Sequence, residues 1–396
     1  MTEDRSGPST RAVHAGEGPR GVHDPVVNPI VLSTTFYSEP DGQGPVLYQR
    51  YGNAPNHVYV EERLAALEGA EDAVVLASGM AAMALAVISV VSAGDHVVAT
   101  DAIYGGTRAL LEKELPRFGI ETTFVDFSAA GWQGGFRPNT KLVIGESPSN
   151  PLLRVLDLRT IADEACARGA VTIVDSTFAS PVNCRPLEHG VDLVMHSATK
   201  YLAGHTDVTA GVIAGSRERV NAVRDRAKVW GPALDPHAAW LLERGMKTLA
   251  VRMERHNRNG MAVATWAEGH PGVARVHYPG LASHPDHAVA ERVLDGFGGM
   301  VGIEVAGGGE AAARFVRAVK VAKLAPSLGG VETLMSEPRY TSHSGMSPER
   351  RAANGIRDGF IRISLGIEDA ADLIADFEQA LRAAAASPSP EAAAAD

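Results

Sequence analysis

Three features of this 396-residue chain predict an α/β fold: a doubly wound, mostly parallel sheet followed by a second, smaller α/β domain. Short apolar runs alternate with helix-length segments through the middle of the chain, the pattern of βα units whose strands are covered on both faces. The alternation gives way after Trp240 to a long helical stretch. The length also exceeds the ~100–200 residues of a single domain.

Taken in order, residues 1–10 are polar and are expected to be disordered, within an extended Gly- and Pro-rich arm over 1–51. Residues 73–76 (AVVL) read as a first strand, followed by ASGM and a helical run. Residues 96–99, 121–125, 142–144, 171–174 and 193–195 read as further buried strands, with a helix over 161–168. Ligands of such sheets sit beyond the carboxyl ends of the strands. Residues 241–270 read as one long helix, with Leu and Met at helical spacing as a packing stripe. Residues 300–305 and 360–364 read as strands of the smaller domain, and 368–384 as the last helix. The tail 383–396 (AAAASPSPEAAAAD from 383) is low in complexity and is expected to be disordered. The domains expected are thus an arm over 1–51, a large domain over 52–248, a small domain over 249–382 and the tail.

Composition narrows the function. Apolar residues make up 45% and charged residues 21%, an ordinary soluble balance, and the net charge of −10 disfavours a general nucleic-acid binder. Cys166 and Cys184 are the only cysteines and are expected to stay reduced, in the cytoplasm. The polar start MTEDRSGPSTR has no signal core, and the apolar run over 81–91 is too short to cross a bilayer, so neither export nor a membrane anchor is expected. His284 and His287 in SHPDH lack a third clustered ligand, so no metal is expected.

The chemistry is carried by a few junctions. HSATKYLAGHTD (196–207) follows a buried strand and places Lys200 one turn from Ser197 and Thr199. A lysine amine beside hydroxyl groups suits pyridoxal phosphate (PLP), which needs an amine for its aldehyde and donors for its phosphate. A lone lysine would otherwise be a solvated loop residue. In VTIVDSTF, Asp175 ends a buried strand, where it could pair with a pyridine nitrogen or cap a helix. LASGMAA makes a strand–Gly–helix junction at Ser78, Gly79 and Met80, either a phosphate cup or an ordinary capped turn. Tyr104 in DAIYGG could stack on a flat ring or sit in the core, and ESPSNP (146–151) is at least a Pro-locked turn. Neither GxGxxG nor GxxxxGK[ST] occurs, which weakens a dinucleotide or nucleoside-triphosphate site.

Together, ESPSNPLLRVLDL, VDSTF, HSATKYLAGHTD, SLGGVETL and RISLGIED resemble, in order and spacing, the Cys/Met-metabolism family of PLP enzymes, from about residue 11 to 382. That family includes cystathionine γ-synthase, cystathionine γ-lyase, methionine γ-lyase and homoserine-ester sulfhydrylases. The resemblance implies the aspartate-aminotransferase-like (type I) PLP fold. It implies that Lys200 forms the Schiff base and shuttles protons, Asp175 pairs with the pyridinium, and Tyr104 stacks on the ring and protonates the leaving group. Ser78, Gly79, Met80, Ser197 and Thr199 would hold the phosphate, with Asn150 near the ring hydroxyl. Arg362 would take the substrate carboxylate, helped by Ser327, with Asn150 and Glu332 also facing the substrate. Tyr48 and Arg50, in LYQRYGN, would reach the phosphate of a neighbouring subunit, in a homotetramer of site-sharing dimers.

The chain departs from family patterns at some positions. Ala54 is inserted before Pro55 in YQRYGNAPN, where the family reads YxRxxNPT. Gly106 stands where methionine γ-lyases have a cysteine, which weakens methionine as substrate without excluding it, and Leu328 stands where cystathionine β-lyases have a tryptophan, which disfavours β-elimination. Glu332 matches the cystathionine γ enzymes. The expected reaction is γ-elimination from cystathionine or methionine to an α-keto acid, ammonia and a thiol. The alternatives are γ-replacement on an activated homoserine, and a non-catalytic PLP-binding protein.

Overall fold

The structure, a computed structural model, describes residues 6–18, 20–341 and 347–385. Contacts divide the chain into two units, one of residues 1–150, 155–253 and 289–296, the other of 151–154, 254–288 and 297–396.

The first unit is built on a seven-stranded sheet. Its strands are β1 (Asp72–Leu76), β2 (His96–Thr100), β3 (Glu121–Val125), β4 (Thr140–Glu146), β5 (Val171–Asp175), β6 (Leu193–His196) and β7 (Gly211–Gly215). The order is β1-β7-β6-β5-β4-β2-β3, and only β7 runs antiparallel to its neighbours. The mostly parallel sheet expected from the alternation is therefore present. β2, β5, β6 and β7 are buried along almost their whole length, because helices cover both faces. On one face the apolar helix Gly79–Val90 sets Met83, Leu85 and Val87 into a core with Val97, Ile144, Ile173, Met195 and Ile213. Six strands match the sequence expectation within a residue or two. β7 does not, because GVIAG offers two glycines and no turn signal. Gly211 is needed there, since a β-carbon would lie 2.1 Å from the Ser78 carbonyl oxygen.

The second unit has its own sheet of β8 (Val273–His277), β9 (Met300–Val305), β10 (Lys323–Leu324), β11 (Leu334–Ser336) and β12 (Phe360–Ser364), in the order β10-β11-β12-β9-β8. The two strands foreseen over 300–305 and 360–364 pair antiparallel at its centre. Helices Gly308–Ala318 and Ala370–Ala385 pack on it through Phe315 and Phe377, whose ring centres lie 6.0 Å apart.

Three expectations need correction. The helix over 241–270 is two helices, Pro236–Met246 and Leu249–Glu268. The break follows from Gly245: its carbonyl accepts from Thr248 and from Arg252, and a β-carbon there would lie 2.2 Å from the Ala203 carbonyl. Residues 8–10, expected to be disordered, open the helix Pro8–His14, whose last carbonyls at Ala12 and Val13 accept from the buried Arg63 guanidinium. Residues 1–5 of that expectation lie outside the described residues. Residues 383–385 likewise continue the last helix, where Ala384 is buried and its carbonyl accepts two bonds from Arg314. The rest of the tail lies outside the described residues. Among the described residues, no helix is long and apolar enough to cross a membrane.

Candidate active site

In the first unit, β1, β2, β4, β5 and β6 all point the same way, so their carboxyl ends share one edge of the sheet. Of the residues singled out in the sequence, Ser78, Gly79, Met80, Tyr104, Asn150, Asp175, Ser197, Thr199 and Lys200 lie at the ends of these strands or just after them. After β1, Ser78 caps the helix Gly79–Val90 by accepting from the Ala81 amide at 3.1 Å. That leaves the Gly79 and Met80 N–H groups and the helix dipole for an anion. Gly79 is pressed against the segment after β6: a β-carbon on it would lie 2.9 Å from Ser197 Cβ and 3.0 Å from Ser197 Oγ. The helix start and Ser197 therefore form one small concave wall.

The turn after β6 presents Lys200, half-buried. Its amide donates to the Ser197 carbonyl at 3.1 Å, and its carbonyl accepts from Gly204 at 2.8 Å. Thr199 Oγ1 accepts from the Ala210 amide at 3.0 Å and donates to the Ala210 carbonyl at 3.2 Å, tying this turn to the segment before β7. Beneath the turn, the Arg252 guanidinium donates to the carbonyls of Tyr201 and Gly245 at 2.7 and 2.8 Å. Burial lowers its pKa to about 10.

Asp175 ends β5, buried, and caps no helix. The next short helix, Ser180–Asn183, follows Ala179, which makes no side-chain cap. Asp175 Oδ1 instead accepts from the amide and the hydroxyl of Thr177, at 3.0 and 2.5 Å, and Thr177 Oγ1 accepts from the Ser197 amide at 2.8 Å. Asp175 and the Lys200 turn are thus joined through one threonine. Burial pushes the Asp175 carboxyl above its ordinary range, against the Thr177 donors and the field of His196. His196, itself buried, pairs with Glu68 at 2.5 Å.

Glu146 ends β4, in register with Asp175. Its two oxygens accept from the backbone amides of Tyr104 (2.6 Å) and Asn150 (2.9 Å). Burial, helped by the charge of Asp175, pushes its carboxyl well above the ordinary range. Tyr104, 42% exposed, packs toward Met80: a β-carbon on Gly106 would lie 2.5 Å from Tyr104 Cε1 and 2.9 Å from Met80 Sδ. Glu146, Thr177, Arg252 and the His196–Glu68 pair were missed as site residues in the sequence. The one available signal was that Glu146, like Asp175, is an acid closing an apolar strand.

Elsewhere, Arg50 donates to the Lys228 carbonyl and lies 5.5 and 5.0 Å from the ring centres of Tyr48 and Tyr51. In the second unit, Arg362 on β12 is buried and donates to the Ser327 carbonyl at 3.0 Å. Ser327 has φ +86°, a left-handed backbone unusual outside glycine, and Glu332 is half-buried. His284 and His287 belong to no metal-ligand group among the described residues.

The donor set fits PLP. A buried carboxyl lifted from its ordinary range gains from a cation, which a protonated ring nitrogen supplies. A capped helix start pressed against a serine suits a phosphate.

Comparison with known proteins agrees. Residues 9–382 match the family described as Cys/Met metabolism PLP-dependent enzyme. The chain is 44% identical to O-succinylhomoserine sulfhydrylase of Pseudomonas aeruginosa over 338 residues, 85% of this chain and 84% of that protein. It is 41% identical to L-methionine gamma-lyase of Porphyromonas gingivalis over 392 residues, 95% of this chain and 97% of that one. The crystal structure of cystathionine gamma synthase from Xanthomonas oryzae pv. oryzae, in complex with aminoacrylate and cysteine, superposes with a TM-score of 0.92 at 38% identity, covering 96% of this chain and 98% of that one.

Proposed function

This chain belongs to the Cys/Met-metabolism family of PLP-dependent enzymes, and from that premise we propose that it performs γ-elimination on a sulfur amino acid, cystathionine or methionine, to give an α-keto acid, ammonia and a thiol. The observation that carries the proposal is the link from buried Asp175 through Thr177 to the turn that bears Lys200.

Bound PLP supplies an electron sink for the pair left behind at the substrate Cα. The chain's own residues do the rest. Lys200 Nζ would hold the cofactor covalently and would then move the protons at the substrate Cα and Cβ. Asp175 would keep the ring nitrogen protonated. Tyr104 would stack on the ring and give a proton to the departing sulfur. Ser78, Gly79, Met80 and Ser197 hold the phosphate, and Thr199 joins them by turning its O–H away from Ala210. Asn150 would face the ring hydroxyl. Arg362 would bind the substrate carboxylate as a bidentate partner, helped by Ser327, and Glu332 would face the substrate.

Tyr48 and Arg50 serve the phosphate of a second copy, in a tetramer made of site-sharing dimers. The exposed apolar side chains of the arm, among them Leu32 and Tyr37, suit cover by that copy. The two free thiols suit a reducing compartment, the cytoplasm.

A second reading is γ-replacement on an activated homoserine. The 44% identity to a sulfhydrylase favours it, since the same residues serve both reactions. Substrate profiling with and without an added thiol separates the two. Elimination predicts keto acid and ammonia from cystathionine or methionine with no thiol present. Thioether formed from a homoserine ester and a thiol, without keto acid from either sulfur amino acid, would give the site to replacement.

A further inference from the structure

Glu146 has no part in the roles described so far, yet it stands among residues that do. It is 4% exposed, ends β4, and sits opposite Asp175 in the parallel register. Each carboxylate oxygen is committed to a different loop. One accepts from the amide of Tyr104 at 2.6 Å, in the loop after β2, and the other from the amide of Asn150 at 2.9 Å, in the loop after β4. β4 lies between β5 and β2 in the sheet. The side chain therefore binds the ring-stacking residue to the residue assigned to the ring hydroxyl, beside the carboxylate assigned to the ring nitrogen.

A structural carboxylate is a costly way to join two loops in a buried site, because the charge must be desolvated. A neutral amide would be cheaper for one N–H, but it offers one acceptor oxygen. Its other end is a donor, which repels a second N–H. Only a carboxylate serves both donors. It also fixes both at a known distance from the strand end that carries the next acid.

We infer that Glu146 is a positioning residue, which sets Tyr104 and Asn150 against Asp175 and so shapes the seat of the cofactor ring. The inference rests on the proposed roles of Tyr104, Asn150 and Asp175. It makes the geometry of the bound ring, and not only the fold, depend on one side chain that acts through the two loops it joins.

The test compares wild type with Glu146→Gln and Glu146→Asp. The Gln variant keeps size but loses one acceptor. The Asp variant keeps the carboxyl group but is one methylene too short to reach both amides. Apoprotein of each is titrated with PLP, and the visible circular dichroism of the bound cofactor is recorded alongside the thermal midpoint of the apoprotein. Both variants should bind PLP roughly tenfold or more weakly, a change of ~1.4 kcal/mol, with an altered dichroic band. A role confined to the fold would lower the apoprotein midpoint and leave affinity and dichroism at wild-type values, and that result would overturn the inference. So would two variants that yield no folded protein, since Glu146 would then be needed for the fold itself. If the Gln variant alone fails to fold, the Asp variant decides. Wild-type protein that takes up no PLP would instead contradict the cofactor assignment, and the inference with it.

Discussion

A carboxyl buried at the end of a parallel strand loses solvation that something must offset, and at Asp175 two donors from Thr177 offset only part of it. The remainder is the reason to place a ring cation there. Asp175→Asn isolates the charge, because the amide oxygen can still accept from Thr177 and keep the local turn. The expected result is a fall in kcat of roughly 10²-fold or more, the scale of losing a positioned proton-holding group. PLP affinity should weaken far less, as the wall of Gly79 and Ser197 proposed for the phosphate is untouched. Near-normal kcat in steady-state assays would reduce Asp175 to a turn-forming residue. His196, paired with Glu68 and buried beneath the same edge, opposes the lifting of Asp175 by its field.

Elements bring these side chains together through junctions more than through their interiors. The turn after Lys200 is held from below by Arg252, in the first turns of the helix Leu249–Glu268, and Gly204 leaves room for it: a β-carbon there would lie 2.1 Å from Arg252 Nη1. Arg252→Leu leaves the carbonyls of Tyr201, Leu202 and Gly245 short of donors. It should cost about 2–4 kcal/mol of stability, read as a lower thermal midpoint, and should loosen PLP retention. A variant with wild-type midpoint and retention would show that the turn stands without it. The strands were legible because apolar runs such as VTIV and LVM have few other uses, and the catalytic candidates because they follow those runs directly. The break at Met246–Leu249 was not legible. It depends on the Gly245 carbonyl meeting a side chain seven residues on and on the nearness of Ala203, a long-range contact. β7 was hidden for a similar reason, since its glycine answers to the Ser78 carbonyl over a hundred residues away. Glu146 was visible as an acid closing a strand, but its two partners were not, because one of them arrives from the loop after β2.

At the scale of the molecule, each unit carries a core of its own, and the candidate residues divide unevenly between the units. The first holds Lys200, Asp175, Tyr104, Asn150 and the wall of Gly79 and Ser197 proposed for the phosphate. The second holds Arg362 and Ser327 on and beside its sheet. Among the described residues, the arm before Gly52 leaves Val22, Val26 and Tyr37 almost fully exposed, which suits the proposed cover by a second copy. All of these roles depend on where the cofactor is attached. The most direct measurement is therefore to incubate the protein with PLP, reduce it with borohydride, and map the digested chain by mass. The account predicts one stable pyridoxyl-phosphate mark per chain, on the peptide that contains Lys200, and none in Lys200→Ala. A mark on a different lysine, or an unmarked chain, would contradict it.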